Sequence, residues 1–378
     1  MIKEGDNLYP IVFPDYQNSI LNVTSSLLKY YGVSTNVPSN PVLDKVLVKK
    51  YRNIVYVLVD ALGVEILNRH KDVSTALNND FVQIITSVFP STTVSATTSV
   101  MTGLPPISTG WLGWCQYVKE VEKSDIFFMN KDYYSESTVF EENIANKVAP
   151  VKKIYQLIEE ADSSVHTLEV FPAFAQPEHD TFMKECITVV ETCKKKGKHF
   201  IYTYWDKLDY IMHETGPGSI EVNQMLASID KGYQYLTKNL EKDTLVVLIA
   251  DHGQVEVCPI ELRKYPSLWD TFVHEPSIES RATAFFIKPE KRVEFEDMFN
   301  HYFRDYFMLL TKAEVLAMKL FGTGVIHERI DEFLGDYMAI AIDHYYFKLA
   351  EGKFVMRGQH AGLLKEEMQV PLIIHSKK

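Results

Sequence analysis

The chain has 378 residues, of which 46% are hydrophobic and 24% are charged, a composition typical of a globular protein with one large domain or two smaller ones. Its 50 acidic residues outnumber its 39 basic residues, and the formal net charge is −11 at pH 7. This balance argues against a broad basic face that binds nucleic-acid polymers, so a bound phosphate would need a local cation.

The sequence carries no sign of a membrane or secreted protein. Its start, "MIKEGDNLYP", lacks the apolar stretch of a signal peptide, and no segment reaches the roughly 18 uninterrupted apolar residues of a membrane span. The four cysteines include no close pair of the kind that binds zinc. We therefore expect a cytoplasmic protein without membrane contacts, whose oligomeric state the sequence does not determine.

Three apolar runs are typical of parallel strands that are buried on both faces, because they are rich in β-branched residues and lack polar alternation. They are "NIVYVLVDALG" (53–63), "HFIYTYWDKLD" (199–209) and "DTLVVLIADHGQ" (243–254). Each run ends in acidic residues. Because ligands gather at the carboxyl ends of such strands, these acids are candidates for one shared site.

Amphipathic segments alternate with the strands, and they predict helices at 16–32, 151–161, 178–196 and 220–240. This alternation indicates an α/β fold with a mostly parallel central sheet sandwiched by helices.

From residue 277 the pattern changes to a β-α-β-α-β unit of the size of an insertion. We predict a small inserted α+β subdomain at 277–345, between a first part of the core at 1–276 and a final part at 346–378. The final part contains His360 in a Gly-flanked turn and a closing strand, "VPLIIH".

Six polar residues near the predicted strand ends form a candidate metal centre: Asp60, Asp209, His213, Asp251, His252 and His360. Asp209 and His213 are four residues apart, so on a helix they share one face and can bind a single ion. The six side chains provide three carboxylates and three imidazoles, a donor set suited to two divalent ions such as Zn²⁺ or Mn²⁺.

Each of these residues has an ordinary structural explanation when it is taken alone. An Asp at a strand end commonly caps a helix, and an Asp-His-Gly tripeptide commonly forms a turn. If each residue only capped a helix or formed a turn, there would be no reason for a complete set of metal ligands to lie at the ends of several strands. The metal centre is therefore the preferred hypothesis.

The stretch "SVFPSTTVSATTSVMTGLPP" (87–106) is dense in hydroxyl side chains. By itself it indicates a Ser/Thr-rich loop that leads into a helix, with one hydroxyl as the N-cap. Next to a metal centre, Thr92 or Thr93 is also a candidate nucleophile.

Five segments, taken in chain order, resemble the alkaline phosphatase superfamily, and within it the nucleotide pyrophosphatase/phosphodiesterase branch. They are "VDALG", "FPSTT…TSVMTGLPP…STG", "DYIMHETGPGS", "ADHGQ" and "GQHAGL…EEMQVPLI". The resemblance covers residues 50–255 and 356–374. It implies the same sandwiched sheet, with two metal ions at the carboxyl edge.

The resemblance also implies roles for the candidate residues. One ion would be held by Asp209, His213 and His360, and the other by Asp60, Asp251, His252 and the attacking threonine. The Phe-Pro-Ser-x-Thr pattern of the branch places this nucleophile at Thr93. The implied activity is hydrolysis of phosphodiesters through a phosphothreonine intermediate. A phosphomonoesterase or related phosphoryl or sulfuryl hydrolase, and a non-catalytic metal-binding protein, stay open as alternatives.

One position departs from the branch, which has an Asn that binds a phosphoryl oxygen where this chain has Trp114. Asn130, in "FFMNKDYY", is the candidate replacement. The departure weakens the expectation of a nucleotide substrate. The predicted partner is therefore a small phosphate ester, with nucleotides as one candidate class.

Overall fold

The computed structural model describes residues 9–135, 137–352 and 354–377, so most of the N-terminal segment considered for a signal peptide lies outside the described residues. The strands are β1 (Asn53–Val59), β2 (Phe81–Thr86), β3 (Gln116–Val118), β4 (Lys123–Ile126), β5 (Lys131–Asp132), β6 (Val165–Val170), β7 (Lys198–Trp205), β8 (Thr244–Ile249), β9 (Val255–Glu256), β10 (Cys258–Glu261), β11 (Ser277–Ile278), β12 (Ala282–Phe285), β13 (Phe307–Thr311), β14 (Tyr337–Ala341), β15 (Tyr345–Lys348), β16 (Gly358–Gln359) and β17 (Gln369–Ser376).

The helices alternate with these strands through the first two thirds of the chain. They are α1 (Ile20–Tyr30), α2 (Pro41–Leu47), α3 (Val64–Arg69), α4 (Thr75–Asn79), α5 (Thr93–Thr102), α6 (Pro106–Thr109), α7 (Ile144–Val148), α8 (Ile154–Ala161), α9 (Phe182–Lys194), α10 (Lys207–Thr215), α11 (Ile220–Asn239), α12 (Pro266–Trp269), α13 (Arg292–Phe303), α14 (Lys312–Ala317), α15 (Ile330–Phe333) and α16 (Lys365–Met368).

The central sheet has the strand order β2-β17-β8-β1-β7-β6. Strand β1 pairs in parallel with β7 and β8, and β6 pairs in parallel with β7, whereas β17 is antiparallel to both of its neighbours. Every residue of β1 and β8 is buried, because helices cover both faces of a parallel sheet. The structure confirms the predicted mostly parallel α/β fold.

The four predicted helices are confirmed as α1, α8, α9 and α11; α11 is one residue shorter than predicted, and the others are three to six residues shorter. Apolar residues of these helices and of the central strands form one large buried cluster. No helix among the described residues has both the length and the apolar character that crossing a bilayer requires.

The run at 199–209 contains the end of a strand and the start of a helix, because β7 ends at Trp205 and α10 begins at Lys207. The acids assigned to the strand end are therefore the N-cap Asp206 and the helical residue Asp209. This places Asp209 one turn before His213 on the same helix, as their spacing requires.

The segment that begins at residue 277 contains a second sheet, which is antiparallel and has the strand order β11-β12-β14-β13. Helix α13 covers it with a phenylalanine-rich cluster. A separate apolar cluster joins this sheet to residues 107–149, including Leu112 and Phe127. The boundaries 277 and 345 of the inserted subdomain stay a prediction.

A buried ion pair ties the second sheet to the end of the central domain. The Arg281 guanidinium donates from Nε to Glu367 Oε1 and from Nη2 to Glu367 Oε2, both at 2.7 Å, and both side chains are fully buried. Glu367 also accepts the backbone N–H groups of Gly362 and Leu364. This pair therefore holds the loop that follows His360.

Candidate metal centre

Elements of the central sheet bring the candidate ligands to one edge. Asp60 directly follows β1, and Asp251 follows β8 by two residues. Because β1 and β8 are parallel neighbours, both carboxylates emerge at the same edge of the sheet. His360 follows β16, which pairs with β9 just after His252.

The backbone around these ligands is tightly constrained. A Cβ atom at Gly253 would lie 2.0 Å from the carbonyl oxygen of Glu366, so the residue after His252 can only be glycine. Ala61 and Ala361 have φ angles of 60° and 89°, in the region that L-residues rarely adopt. Strain of this kind is typical of functional sites, and here each alanine directly follows a candidate ligand.

One ligand set consists of Asp209, His213 and His360, and we call it the Asp209 set. Its donor atoms lie within 4.8 Å of one another. His213 Nε2 is 3.1 Å from Asp209 Oδ2, and His360 Nε2 is 3.8 Å from Asp209 Oδ1. These distances allow one divalent ion to contact all three side chains after small adjustments.

The second ligand set consists of Asp60, Asp251 and His252, and we call it the Asp60 set. All three residues are buried, and their donor atoms also lie within 4.8 Å of one another. His252 Nε2 is 3.3 Å from Asp60 Oδ1 and 3.5 Å from Asp251 Oδ2. Those two oxygens have no hydrogen-bond partner among the described residues. Buried oxygens of this kind are costly unless a cation or water satisfies them.

The three histidines have the same hydrogen-bond arrangement. Nδ1 faces a backbone carbonyl in each case, at 2.8 Å for His213, 2.9 Å for His252 and 3.2 Å for His360. A proton held on Nδ1 by this contact leaves the Nε2 lone pair free, which is the usual orientation of a metal-binding histidine. The rings of His252 and His360 stack with centroids 3.8 Å apart, so the two sets adjoin.

The carboxylates of the two sets have opposite electrostatic environments. Burial, together with the neighbouring Asp251 and Asp209, raises the pKa of Asp60 well above its usual range, and burial also raises the pKa of Asp251. Asp209 is only partly buried, and although desolvation opposes the shift, His213 and His360 lower its pKa below the usual range. In return, although burial opposes the shift, Asp209 raises the pKa of His213.

Thr93 is the first residue of α5 and differs from the other hydroxyls nearby. The Ser and Thr residues from 91 to 99 are buried except for Thr93, which is partly exposed. Its Oγ1 lies 3.2 Å from His252 Nε2 and 3.4 Å from Asp60 Oδ2. Thr92 turns away from the Asp60 set and donates to Glu279 at 2.6 Å. The geometry therefore favours Thr93 over Thr92, the same residue that the Phe-Pro-Ser-x-Thr pattern indicated.

The two residues proposed to contact substrate have different surroundings. Trp114 is partly exposed, and its backbone N–H donates to Glu279 Oε1 at 2.7 Å. Asn130 uses its side chain inside its own loop, where it donates to the Phe140 carbonyl and accepts the Ile144 N–H, at 2.8 and 2.9 Å. These contacts leave Asn130 a structural role and do not support it as a phosphoryl-binding replacement.

Three residues that support the site were not predicted from the sequence. Tyr204 donates its hydroxyl to Asp60 Oδ2, and Gln254 donates to Asp209 Oδ1 at 2.5 Å. Glu279, from the second sheet, is buried near both sets, and burial raises its pKa to about 7. Gln254 lies two residues after His252 and could have been suspected, whereas Glu279 is 186 residues from Thr93 and carried no motif.

Solved structures with similar folds include an ectonucleotide pyrophosphatase/phosphodiesterase and a phosphonoacetate hydrolase. Murine ectonucleotide pyrophosphatase/phosphodiesterase 5 matches with a TM-score of 0.64 and 16% identity, over 87% of this chain and 88% of that one. An inactive variant of that protein was solved in complex with AMP. Phosphonoacetate hydrolase from Sinorhizobium meliloti 1021, in complex with phosphonoacetate, matches with a TM-score of 0.64 and 17% identity, over 87% and 91% of the two chains.

At these identities the structural matches show a shared fold. No curated protein matches the chain in sequence. The family model described as "Type I phosphodiesterase / nucleotide pyrophosphatase" matches residues 54–362, a span that includes every residue of both ligand sets and Thr93. The chain therefore belongs to the type I phosphodiesterase/nucleotide pyrophosphatase family of hydrolases.

Proposed function

We propose that this protein is a two-metal phosphodiesterase that acts on small phosphate esters, with Thr93 as the nucleophile. One observation carries the proposal. The partly exposed hydroxyl of Thr93 lies 3.2 Å from His252 Nε2 and 3.4 Å from Asp60 Oδ2, so it faces the same donors as the candidate ion. A hydroxyl that contacts a divalent ion is the usual form of an activated threonine.

The donor sets fit two divalent ions, with Zn²⁺ or Mn²⁺ as the candidates. The fit rests on the buried oxygens of Asp60 and Asp251 that lack a hydrogen-bond partner among the described residues, and on the three Nε2 atoms that lie against the carboxylates of the two sets. When bound, such ions supply positive charge that lowers the pKa of the threonine hydroxyl and stabilises charge on the transferring phosphoryl group.

The chain's own residues account for the rest of the reaction. Tyr204 donates to Asp60 Oδ2 and holds the carboxylate that faces Thr93. Thr93 Oγ1 gives its proton to solvent and attacks phosphorus; the bond from phosphorus to the leaving-group oxygen breaks, and the leaving group takes up a proton from solvent. Water then attacks the phosphothreonine, the bond from phosphorus to Oγ1 breaks, the phosphate product leaves with the water oxygen, and a proton returns to Oγ1. Because α5 begins at Thr93, its first N–H groups and its helix dipole favour the bound phosphoryl group.

The substrate class is drawn from the site and from the structural neighbours. Complexes of the neighbours with AMP and with phosphonoacetate support a small molecule that carries a phosphate or phosphonate group, and the acidic net charge of −11 argues against a nucleic-acid polymer. The likeness to phosphonoacetate hydrolase, whose substrate is not a diester, favours one second candidate, a phosphomonoesterase or related phosphoryl hydrolase on the same scaffold.

The test compares bis(p-nitrophenyl) phosphate with p-nitrophenyl phosphate, using metal-stripped protein to which Zn²⁺ or Mn²⁺ is restored. We expect the diester to be preferred, and Thr93→Ala to lower kcat/KM by about 10³-fold or more, because the nucleophile is lost. Thr102→Ala removes a hydroxyl from the far end of the same helix and is the matched control. It should retain activity within about twofold.

Three outcomes would contradict the proposal in different ways. Preference for the monoester would keep the site and favour the second candidate. Unchanged turnover by Thr93→Ala would exclude this residue as the nucleophile. If folded, metal-loaded protein hydrolysed neither substrate, the chain would be a non-catalytic metal-binding protein or act on a different bond.

A further inference from the structure

Glu279 lies beside the nucleophile but belongs to neither ligand set. Its Oε1 accepts hydrogen bonds from Thr92 Oγ1 at 2.6 Å and from the Trp114 N–H at 2.7 Å. Thr92 is the N-cap of α5 and directly precedes Thr93. Glu279 therefore links the start of the nucleophile helix to the segment where the branch has its phosphoryl-binding Asn and this chain has Trp114.

The second carboxylate oxygen of Glu279 is available to the site. Among the described residues, no hydrogen bond reaches Oε2. This oxygen is accessible from outside the protein, although the residue as a whole is only 6% exposed. The charge of Glu279 also acts on His213 and His252, one histidine from each ligand set. Because Thr92 is the N-cap that directly precedes Thr93, the Glu279 carboxyl group lies at the start of the nucleophile helix, beside the Asp60 set.

We infer that Glu279 is a specificity-determining residue that selects substrates by the charge on phosphorus, favouring phosphodiester monoanions over phosphomonoester dianions. The inference rests on the proposed function and deepens it. Glu279 comes from the second sheet, so the segment that begins at residue 277 supplies a functional group to a site built by the central sheet.

The physical basis is the difference of one charge between the two substrate classes. A diester carries a single negative charge, whereas a monoester carries about −1.5 to −2 at pH 7. Divalent ions at the two sets favour the ionised form of a neighbouring carboxyl. In a site shielded from water, the Glu279 carboxylate then repels the second charge of a monoester, and such repulsion is an effective means of rejecting a wrong ligand.

The competing explanation is that Glu279 only ties Thr92 to the Trp114 backbone. Glu279→Gln separates the two explanations, because the amide oxygen can still accept both hydrogen bonds while the charge is removed. Thr92→Val is the matched control, since it removes one of the hydrogen bonds and keeps the charge. A positioning effect should change both substrates together, whereas a charge effect should change their ratio.

The experiment measures kcat/KM for bis(p-nitrophenyl) phosphate and p-nitrophenyl phosphate in wild type, Glu279→Gln and Thr92→Val, with metal content determined for each. We expect Glu279→Gln to shift the diester-to-monoester ratio towards the monoester by about tenfold, and Thr92→Val to leave the ratio unchanged. An unchanged ratio in Glu279→Gln, or equal losses for both substrates, would overturn the inference.

A binding measurement tests the inference without turnover. In a Thr93→Ala background, calorimetry should show that Glu279→Gln binds inorganic phosphate about tenfold more tightly, because a mostly dianionic ligand no longer meets the carboxylate. Equal affinities would also overturn the inference. If the wild type hydrolyses neither ester, the proposed function fails, and the phosphate measurement still decides the role of Glu279.

Discussion

The Asp209 set and the Asp60 set contain similar residues but differ in how their charges are balanced before any ion binds. The carboxylate of Asp209 lies against two histidines and accepts a hydrogen bond from Gln254, and its pKa is lowered. In the Asp60 set, two buried carboxylates face a single histidine, two of their oxygens have no hydrogen-bond partner in the part of the chain that the structure describes, and both pKa values are raised.

Because of this difference, we expect the two sets to behave differently when no ion is bound. The Asp209 set is internally compensated, so it can hold its geometry without an ion. The Asp60 set concentrates negative charge where water is excluded, which costs stability in the metal-free protein and becomes favourable only with a cation. The uncompensated set is also the one that faces Thr93.

The largest expected effect is on turnover, and it tests whether both sets hold ions. Asp251→Asn and Asp209→Asn should each lower kcat/KM by about 10³-fold or more, because each removes a charged ligand from a two-metal site. Metal analysis should show one ion fewer per chain in each variant. If a variant kept two ions and full activity, the set that contains the substituted residue would not be part of the metal centre.

The next effect concerns the scaffold of the Asp209 set. Arg281→Met leaves the Glu367 carboxylate buried without its partner and should lower the free energy of unfolding by about 3–5 kcal/mol. Because Glu367 holds Gly362 and Leu364 just after His360, amide hydrogen exchange should rise first in this loop. A loss of protection confined to β1 and β8 would contradict the assignment.

The paired variant Arg281→Met/Glu367→Met is the control for the buried charge. It should recover much of the lost stability, since replacing a buried ion pair with apolar side chains is often neutral. Failure to recover would mean that the hydrogen bonds to the loop, and not the unpaired charge, dominate the loss.

A smaller effect tests the comparison of the two sets directly. In metal-free protein at pH 7, Asp251→Asn should raise the free energy of unfolding by about 1 kcal/mol, because it removes a carboxylate whose pKa is raised in the folded state. Asp209→Asn should lower it by about the same amount, because it removes a carboxylate stabilised by His213. Chemical denaturation measures both, and changes of the same sign would refute the proposed contrast.

The smallest effect concerns a buried carboxyl group that is not a candidate ligand. It tests whether a pKa raised by burial is by itself enough to indicate a metal-binding carboxylate. Glu185 is fully buried outside both sets, and burial raises its pKa to about 9. The folded state therefore binds more protons than the unfolded state between about pH 4.5 and 9, and stability falls as pH rises through this window.

Glu185→Gln should remove part of that fall, and denaturation at pH 5 and pH 8 measures it. We expect Glu185→Gln to gain stability relative to wild type when the pH is raised from 5 to 8, because only the wild type has a carboxyl group whose ionisation is opposed by burial. Adding Zn²⁺ should stabilise wild type and Glu185→Gln equally, but should stabilise Asp251→Asn less. If Zn²⁺ failed to distinguish these variants, a raised pKa would not mark an ion site in this protein.

The sequence by itself determined the fold class and the candidate ligands. Buried β-branched runs predicted β1 and β8, and their acidic ends pointed to Asp60 and Asp251. The spacing of Asp209 and His213 indicated a shared helical face, and both residues lie in α10. These features are local, since strand and helix periodicities and the residues that follow them lie within a few positions of one another.

Only the tertiary structure decided which hydroxyl faces the ligands, how each carboxylate is compensated and where Glu279 lies. Thr92 and Thr93 are adjacent and chemically identical, and their different orientations follow from the start of α5 and from a partner 187 residues from Thr92. Burial and charge compensation depend on contacts between distant segments. A local pattern therefore could not reveal that the second sheet supplies a carboxyl group to the edge of the first.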